Sequence, residues 1–199
     1  MKIKMILFAH VVAAIAAVAI AEEAQQPAIQ LVNAAGIATE AVANVAATFQ
    51  QDIHFAVAAA DAAEIAGDAS AALAAAPQAK PVAFRVVFWK GGSALEDSLC
   101  LLPDARTALV DVTPLFADAP DAERLERRLI RQAAKGCGLL AGLGYTMGPP
   151  CTLKRVSSLK ELDSLSRNFS PPAQGKFDML LRLEGAQPLM DDPGDEEEE

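Results

Sequence analysis

Histidine and cysteine are the residues of this chain with the most versatile chemistry, and there are few of them. The 199 residues include two histidines and three cysteines: His10, His54, Cys100, Cys137 and Cys151. A catalytic thiol needs a neighbour that lowers its pKa, and a zinc peptidase needs several neutral imidazoles. The small number of histidines therefore leaves little room for a Ser-His-Asp triad or a histidine-rich metal site.

The sequence around His54 and Cys137 favours packing over catalysis. Residues 53–57 contain β-branched and aromatic residues and predict a strand, so we expect His54 to be a core or strand-face residue. Cys137 lies on the apolar stripe of a predicted helix, where a cysteine behaves as a small buried hydrophobe. The alternative is a residual metal- or thiol-dependent hydrolase that uses His54, Cys137 or Cys151.

Four basic residues recur every three or four positions of the same predicted helix: Arg124, Arg128, Arg131 and Lys135. This spacing places them on one helix face. Because glutamates are interleaved with them, we expect this face to be solvated. The alternative is a surface for an anion or a protein partner, and the acidic segment 191–199 of the same chain has the charge to occupy it.

The chain is acidic, with a net charge of −9 and 52% hydrophobic residues. Phosphate binding needs a basic surface, so this balance argues against a nucleic-acid partner. The length suits one domain with its own hydrophobic core.

Residues 1–21 have the layout of an export signal peptide. Lys2 and Lys4 precede an apolar run, and Ala19 and Ala21 form a small-x-small cleavage site. We expect a secreted or periplasmic protein; the alternative is an uncleaved segment that tethers the protein to a membrane, although the run is short for a span. In an oxidising compartment two of the three cysteines could form a disulfide, and the sequence does not choose the pair.

Residues 22–78 form an alanine-rich part of the domain. Apolar spacings of three, four and seven predict a helix over residues 27–50. A second helix is predicted over residues 61–76, with Asp61 as its N-cap and Glu64 as the capping-box partner. With the strand at 53–57, this part reads as helix, strand, helix.

Residues 79–186 complete the same domain. Strands are predicted over residues 82–89, 98–102 and 107–112, and a long helix over 121–143. An extended stretch and two short helices follow, at residues 151–156, 158–166 and 176–184, before a disordered acidic tail over 187–199. This order indicates an α/β fold with a mixed sheet of about four strands.

Four short stretches of the C-terminal half carry a family resemblance. They are KGCGLLAGLGYT at 135–146, CTL at 151–153, SLKELD at 158–163 and SPPA at 170–173. Their succession resembles the archaemetzincins, zinc metallopeptidases of the metzincin group, whose helix reads H-E-x-x-H-x-x-G-x-x-H-C and precedes C-x-M, S-L-x-E-x-D and C-x-x-C. In a gap-free alignment Gly142 matches the glycine of the helix motif, and Cys151 and Leu153 match the cysteine and methionine of C-x-M. The resemblance implies a metzincin-like single domain, in which an N-terminal helix, a crossover helix and a long former active-site helix pack on the sheet.

The same alignment puts other residues where the family holds its metals. The three zinc histidines fall on Lys135, Leu139 and Tyr145, and the general-base glutamate falls on Gly136. Leucine offers no lone pair, and a lysine that is charged at neutral pH repels the ion. The four cysteines of the second, structural zinc site fall on Thr146, Cys151, Ser170 and Ala173.

The resemblance therefore implies a scaffold that lacks the chemistry of the family. We expect an exported, non-catalytic protein, with no zinc or other cofactor, that binds an unknown protein or peptide partner. The former cleft near Lys135, Tyr145 and Met147 would be the binding surface, with Arg124, Arg128 and Arg131 as further weak candidates. A residual hydrolase and a membrane-tethered envelope protein are the alternatives.

Overall fold

A five-stranded mixed sheet lies at the centre of the computed structural model, which describes residues 26–75, 82–148 and 151–189. The strands are β1 (Ile29–Asn33), β2 (Val57–Asp61), β3 (Phe84–Trp89), β4 (Leu99–Leu102) and β5 (Thr107–Asp111). Their order across the sheet is β2-β1-β3-β5-β4. All neighbouring pairs are parallel except β4 with β5, so β4 is an antiparallel edge strand.

Within these ranges, five α-helices surround the sheet: α1 (Thr39–Ile53), α2 (Ala69–Ala75), α3 (Ala122–Leu140), α4 (Leu159–Ser164) and α5 (Pro171–Leu183). Successive strand residues point to opposite faces of the sheet and divide the core into two clusters. Leu31 and Phe88 belong to the larger cluster, which also contains the buried apolar residues of α1, α3 and α5. Val32 and Val87 belong to the smaller one, which is covered by α2.

Helix α3 is enclosed on most of its surface. Its N-cap Asp121 accepts a hydrogen bond from the Arg124 N–H at 2.7 Å, and every residue from 128 to 138 is buried. Small residues permit this enclosure on both sides. A Cβ on Gly138 would lie 2.8 Å from the side chains of Leu153 and Phe169, so the segment after residue 150 packs directly on the helix.

The predicted α3 and the strands β3, β4 and β5 are confirmed within a few residues at each end. The helix predicted over residues 27–50 is wrong in its first half, where β1 lies; the helix begins at Thr39. All five residues of β1 are buried, so both of its faces are covered. A strand in this position shows no alternation of polar and apolar residues, and its apolar spacing also fits a helix. The additional strand β1 raises the count from the predicted four to five.

Asp61 ends β2 and is not the N-cap of a helix. Its carboxylate accepts hydrogen bonds from Asn33 Nδ2 and Thr39 Oγ1, both at 2.9 Å, which fastens β2 to β1 and α1. Glu64, predicted to be its capping partner, instead pairs with Lys90 at 2.6 Å.

The C-terminal helix α5 begins earlier than predicted. Pro171 and Pro172 occupy its first turn, where a proline needs no N–H partner, and do not interrupt a helix. Its Phe177 stacks on Phe84 of β3 with ring centroids 6.1 Å apart, which docks the helix against the sheet. The stretch 151–156, predicted to be extended, forms no strand.

The predicted signal segment 1–21 and the acidic residues 191–199 lie outside the described residues. Leu189, at the start of the predicted tail, donates its N–H to the carbonyl of His54 at 2.8 Å. None of the described helices is long and apolar enough to span a membrane.

Candidate functional site

A cleft of about 450 Å³ opens between α3, the approach to β4 and the segment that follows residue 150. Residues 95–99 form one wall and residues 155–161 the opposite one. Gln132 and Lys135 of α3 form its base, and Tyr145 lines it from beyond the end of the helix. The structure thus brings two of the three positions aligned with zinc histidines, Lys135 and Tyr145, to one cleft; Leu139 is not among its lining residues.

Lys135 is the cation at the base of this cleft. Its side chain is buried, with 4% of the residue exposed. Burial lowers the pKa of Lys135 to about 8, and the neighbouring Cys151 opposes this shift. Within the described part of the chain, no hydrogen bond or ion pair reaches its amine.

The basic stripe of α3 is not the solvated face that its spacing predicts. Arg128, Arg131 and Lys135 are all buried, and Arg124 alone of the four is exposed. The physical reason is that the segment after residue 150 covers this side of the helix. The stripe therefore provides no continuous helix surface for an anion, a partner or the acidic residues 191–199.

Arg128 holds the segment after residue 150 to α3, and all five of its N–H donors are used, so none is left for a ligand. It is 0% exposed and makes two hydrogen bonds to Asp118, at 2.6 and 2.8 Å, and two to Asp163, at 2.8 and 2.7 Å. A fifth goes to the carbonyl of Leu115 at 2.7 Å. These bonds hold the pKa of Asp118 at about 2 and the pKa of Asp163 below its usual value.

Arg131 has a similar structural role. Its guanidinium donates to two carbonyl oxygens: that of Asp163, within α4, at 3.2 Å, and that of Leu165, just after α4, at 2.9 Å. Thr152 in turn donates its hydroxyl to the Arg131 carbonyl at 2.9 Å. These contacts fix the wall of the cleft that the C-terminal segment supplies.

Polar groups surround Lys135 in the cleft. Gln132 is buried; its Nε2 lies 3.4 Å from Ser98 Oγ, and its Oε1 has no hydrogen-bond partner. At the rim, the Arg155 guanidinium lies 4.3 Å from the centre of the Tyr145 ring. Glu161 accepts hydrogen bonds from the N–H and hydroxyl of Ser157, at 2.8 and 3.1 Å, and the backbone bond lowers the pKa of the Glu161 carboxyl.

The residues at the aligned catalytic positions do not fit a zinc ion. Lys135 presents a cation, Leu139 has no donor atom, and the half-exposed Tyr145 stacks with Arg155. The position of the general base is closed as well. A Cβ on Gly136 would lie 2.8 Å from the Cβ of Ala108 in β5, so a glutamate would not fit without moving the helix off the sheet.

Three of the four aligned positions of the second metal site also come together, and none of the three holds a cysteine. Thr146, Ser170 and Ala173 line one pocket of about 330 Å³, next to the fully exposed Met147. Cys151, the fourth position, is buried and is not among the residues that line this pocket. One thiol, two hydroxyls and a methyl group do not make a zinc site. Elsewhere in the described ranges, no cluster of three or more histidine, cysteine or acidic residues has the geometry to hold a metal ion.

His54 and the cysteines do not form a second candidate site. The sequence predicts His54 in a strand, but α1 continues to Ile53, and His54 lies exposed at its end in a left-handed conformation with φ 57°. Cys137 is confirmed as a packing residue: it is completely buried, and burial raises the pKa of its thiol. All three cysteines are free thiols, so none of the possible disulfides is formed.

The sequence pattern assigns no site role to four residues that form or support the site: Gln132, Ser98, Asp118 and Asp163, the last of which ends the SLKELD stretch. One signal exists for the buried arginines. Small residues are frequent in the second half of α3, at Ala133, Ala134, Gly136 and Gly138. A helix with small residues on several faces can be packed on several sides. Its basic side chains are then buried as well, and buried guanidinium groups need carboxylate or carbonyl partners.

Comparisons with known proteins place the fold. No protein-family model matches the sequence, and no curated protein matches it. Three solved structures resemble the chain. A zinc-dependent peptidase from Methanocorpusculum labreanum superimposes with a TM-score of 0.61 at 16% identity, over 75% of this chain and 99% of that one.

The other two structures are archaemetzincins. The protein from Methanopyrus kandleri gives a TM-score of 0.61 at 20% identity, over 77% of this chain and 94% of that one. The protein from Archaeoglobus fulgidus, solved in complex with malonate, gives 0.57 at 14% identity, over 74% and 98%. The resemblance inferred from residues 135–173 is thus confirmed at the level of the fold: this chain has the fold of the archaemetzincins.

Proposed function

We propose that this chain is a non-catalytic archaemetzincin-like protein, a pseudopeptidase, that binds a peptide or protein partner in the cleft at Lys135. The observation that carries the proposal is the contact between Gly136 and Ala108 beside the buried Lys135. The cleft is present, while the positions for metal and base hold residues that cannot perform hydrolysis.

Hydrolysis by a zinc peptidase needs a metal-activated water and a carboxylate that accepts its proton. The donor set here supplies no metal ligand at Lys135, Leu139 or Tyr145. The base position holds a glycine that faces the sheet, and the carboxylate of Glu161 is engaged by Ser157. Binding without cleavage is the activity that such a cleft supports best.

The alternative of a thiol-dependent hydrolase has little support. Cys137 is buried inside α3, and the exposed Cys100 lies on β4 and does not line the cleft. A nucleophilic thiol is a thiolate that the substrate can reach. The buried Cys151 beside Lys135 is the remaining thiol, and its replacement by serine tests this alternative.

The proposal places the protein outside the cytoplasm, on the strength of the export signal predicted over residues 1–21. Intact-mass analysis of protein recovered from the native host tests this part. A mass that begins at Glu22 supports export with cleavage. A mass that retains residues 1–21 in the membrane fraction would support the tethered alternative.

A peptidase assay tests the central part. The chain is incubated with an unfolded protein such as reduced casein, with and without added zinc, and the products are analysed by mass spectrometry. We expect no cleavage above background in either condition. Cleavage that Lys135→Met or Cys151→Ser abolishes would overturn the proposal and assign chemistry to the residue concerned.

A further inference from the structure

The unpartnered lysine at the base of the cleft carries a further inference, which rests on the proposed binding role of that cleft. We propose that the cleft binds a carboxylate, from a peptide C-terminus or a small free acid, and that the Lys135 ammonium is its counter-charge. At a position that aligns with a zinc ligand, the protein thus supplies a positive charge from its own side chain.

Of the three buried cations of α3, Arg128 and Lys135 differ in their partners. Arg128 has two carboxylates and a carbonyl to accept its five hydrogen bonds. Lys135, two turns further along α3, is 4% exposed and has no acceptor among the described residues; its Nζ is not one of the fully buried unpartnered atoms, so it reaches the cleft. Buried charges in proteins are normally paired, because an unpaired one loses its hydration without compensation. The cleft beside Lys135 has space for an anionic ligand that would pair with it.

Spare hydrogen-bonding capacity lies next to Lys135. Gln132 lies three residues earlier on α3 and therefore on the same helix face. Its Nε2 makes only a long contact, 3.4 Å, to Ser98 Oγ, and a ligand oxygen would be a better acceptor. Ser98 does not depend on this contact, because its hydroxyl donates to the Leu95 carbonyl at 2.6 Å. Lys135 Nζ and Gln132 Nε2 supply two donors for the two oxygens of one carboxylate.

The charges around the cleft select a singly charged group. Glu96 and Glu161 line it together with Arg155 and Lys135, so the formal charges of the lining residues cancel. A phosphate or a run of acidic residues would meet both glutamates, whereas one carboxylate adds one charge directly at the lysine. The volume of about 450 Å³ leaves space for a few residues of a peptide behind its terminal carboxylate.

Binding of matched peptide pools tests the inference. One pool contains random N-acetylated tetrapeptides with a free C-terminal carboxylate, and the second contains the same peptides as C-terminal amides. Succinate and malonate serve as small free acids. Bound peptides are separated with the full chain by size exclusion and quantified by mass spectrometry, and the small acids are titrated by calorimetry.

We expect the free-acid pool to bind and the amide pool to bind at least about 30-fold more weakly. This is the loss expected when one partner of a buried charge pair is removed. Lys135→Met and Lys135→Gln should lose binding to the same extent. The matched control is Lys154→Met, because Lys154 is exposed and does not line the cleft.

The outcomes separate this inference from the proposed function. Equal binding of both pools that is insensitive to Lys135→Met would overturn the carboxylate inference and leave a peptide-binding cleft. Binding of succinate or malonate but of neither pool, lost in Lys135→Met, would keep the carboxylate site and overturn the peptide partner. Failure of both pools and both acids to bind would overturn the carboxylate site.

Discussion

Gly136 of α3 lies against Ala108 of β5 so closely that a Cβ on the glycine would be 2.8 Å from the alanine Cβ. The position that aligns with a catalytic glutamate is thus a point of tight packing between helix and sheet. The same contact fixes how closely α3 packs on the sheet beside the cleft.

The packing at Gly136 predicts a penalty for the smallest possible side chain. Gly136→Ala should destabilise the protein by about 1–3 kcal/mol, because the added methyl group overpacks the interface. Urea denaturation measures the change. Gly175→Ala is the control: Gly175 lies in α5, and a Cβ added there would have nothing within 4 Å, so helix propensity should make this variant neutral or more stable. A Gly136→Ala variant as stable as wild type would contradict the tight contact.

Arg128 should be among the residues that the fold tolerates losing least. Arg128→Met removes five hydrogen bonds that join α3 to Asp118 and α4, and we expect a loss of about 3 kcal/mol. Among the described residues, the neighbouring Arg127 pairs only with Glu123, at the surface, so Arg127→Met should change stability by about 0.5 kcal/mol or less. Similar effects of the two substitutions would show that the buried network contributes little.

The same network makes stability depend on acid pH. The hydrogen bonds from Arg128 hold the pKa of Asp118 at about 2, below its usual 3.8, and lower the pKa of Asp163 as well. A carboxyl whose pKa is lower in the folded state stabilises it above the unfolded pKa, and this contribution is lost as the pH falls through the folded pKa. The difference in stability between wild type and Arg128→Met should therefore be constant above about pH 5 and shrink towards pH 2. A difference that is the same at pH 3 and pH 7 would contradict the assignment.

Lys135 should reduce stability in the absence of a ligand. Burial lowers its pKa to about 8 from 10.5, so the charged form is penalised in the folded state. The unfolded chain binds more protons between these two values, and stability rises with pH across this interval. Lys135→Met should accordingly be more stable than wild type at pH 7, by about 1–3 kcal/mol, with a smaller gain at pH 10.

Comparison of the two proteins at each pH isolates Lys135 from the other groups that face it, which are Cys151, Tyr145, Arg155, Glu96 and Glu161. Thermal unfolding at pH 7 and pH 10 provides the measurement. A Lys135→Met variant that is less stable than wild type at pH 7 would assign the lysine a structural role and contradict its role as an anion-binding residue.

The sequence predicts those parts of the fold whose pattern is local. Helix α3 has its N-cap, its apolar stripe and its terminal glycines in one stretch of chain, and β3 has β-branched and aromatic residues between turns. The pattern does not reveal β1, because all five of its residues are buried, the polar Gln30 and Asn33 included, and a strand covered on both faces shows no regular alternation of polar and apolar residues. Its neighbours β2 and β3 come from distant parts of the sequence, so no local signal marks it as a strand.

The family resemblance predicts the positions in the cleft but not their environments. The spacing locates Lys135 and Tyr145 and groups Thr146 with Ser170 and Ala173, which the structure brings to one pocket. Burial of the basic stripe depends on Asp163, 35 residues after Arg128, and on how α4 packs. Such a pairing depends on the tertiary fold, and helix periodicity alone assigns charged residues to solvent.

The zinc content of the purified protein tests the central claim most directly, since the claim is that this archaemetzincin fold has lost its metal chemistry. The full chain is loaded with excess zinc, dialysed against metal-free buffer, and analysed by inductively coupled plasma mass spectrometry. We expect zinc far below one ion per chain and a Tm that zinc does not change. One tightly held zinc per chain, released when Lys135 or Cys151 is replaced, would contradict the claim.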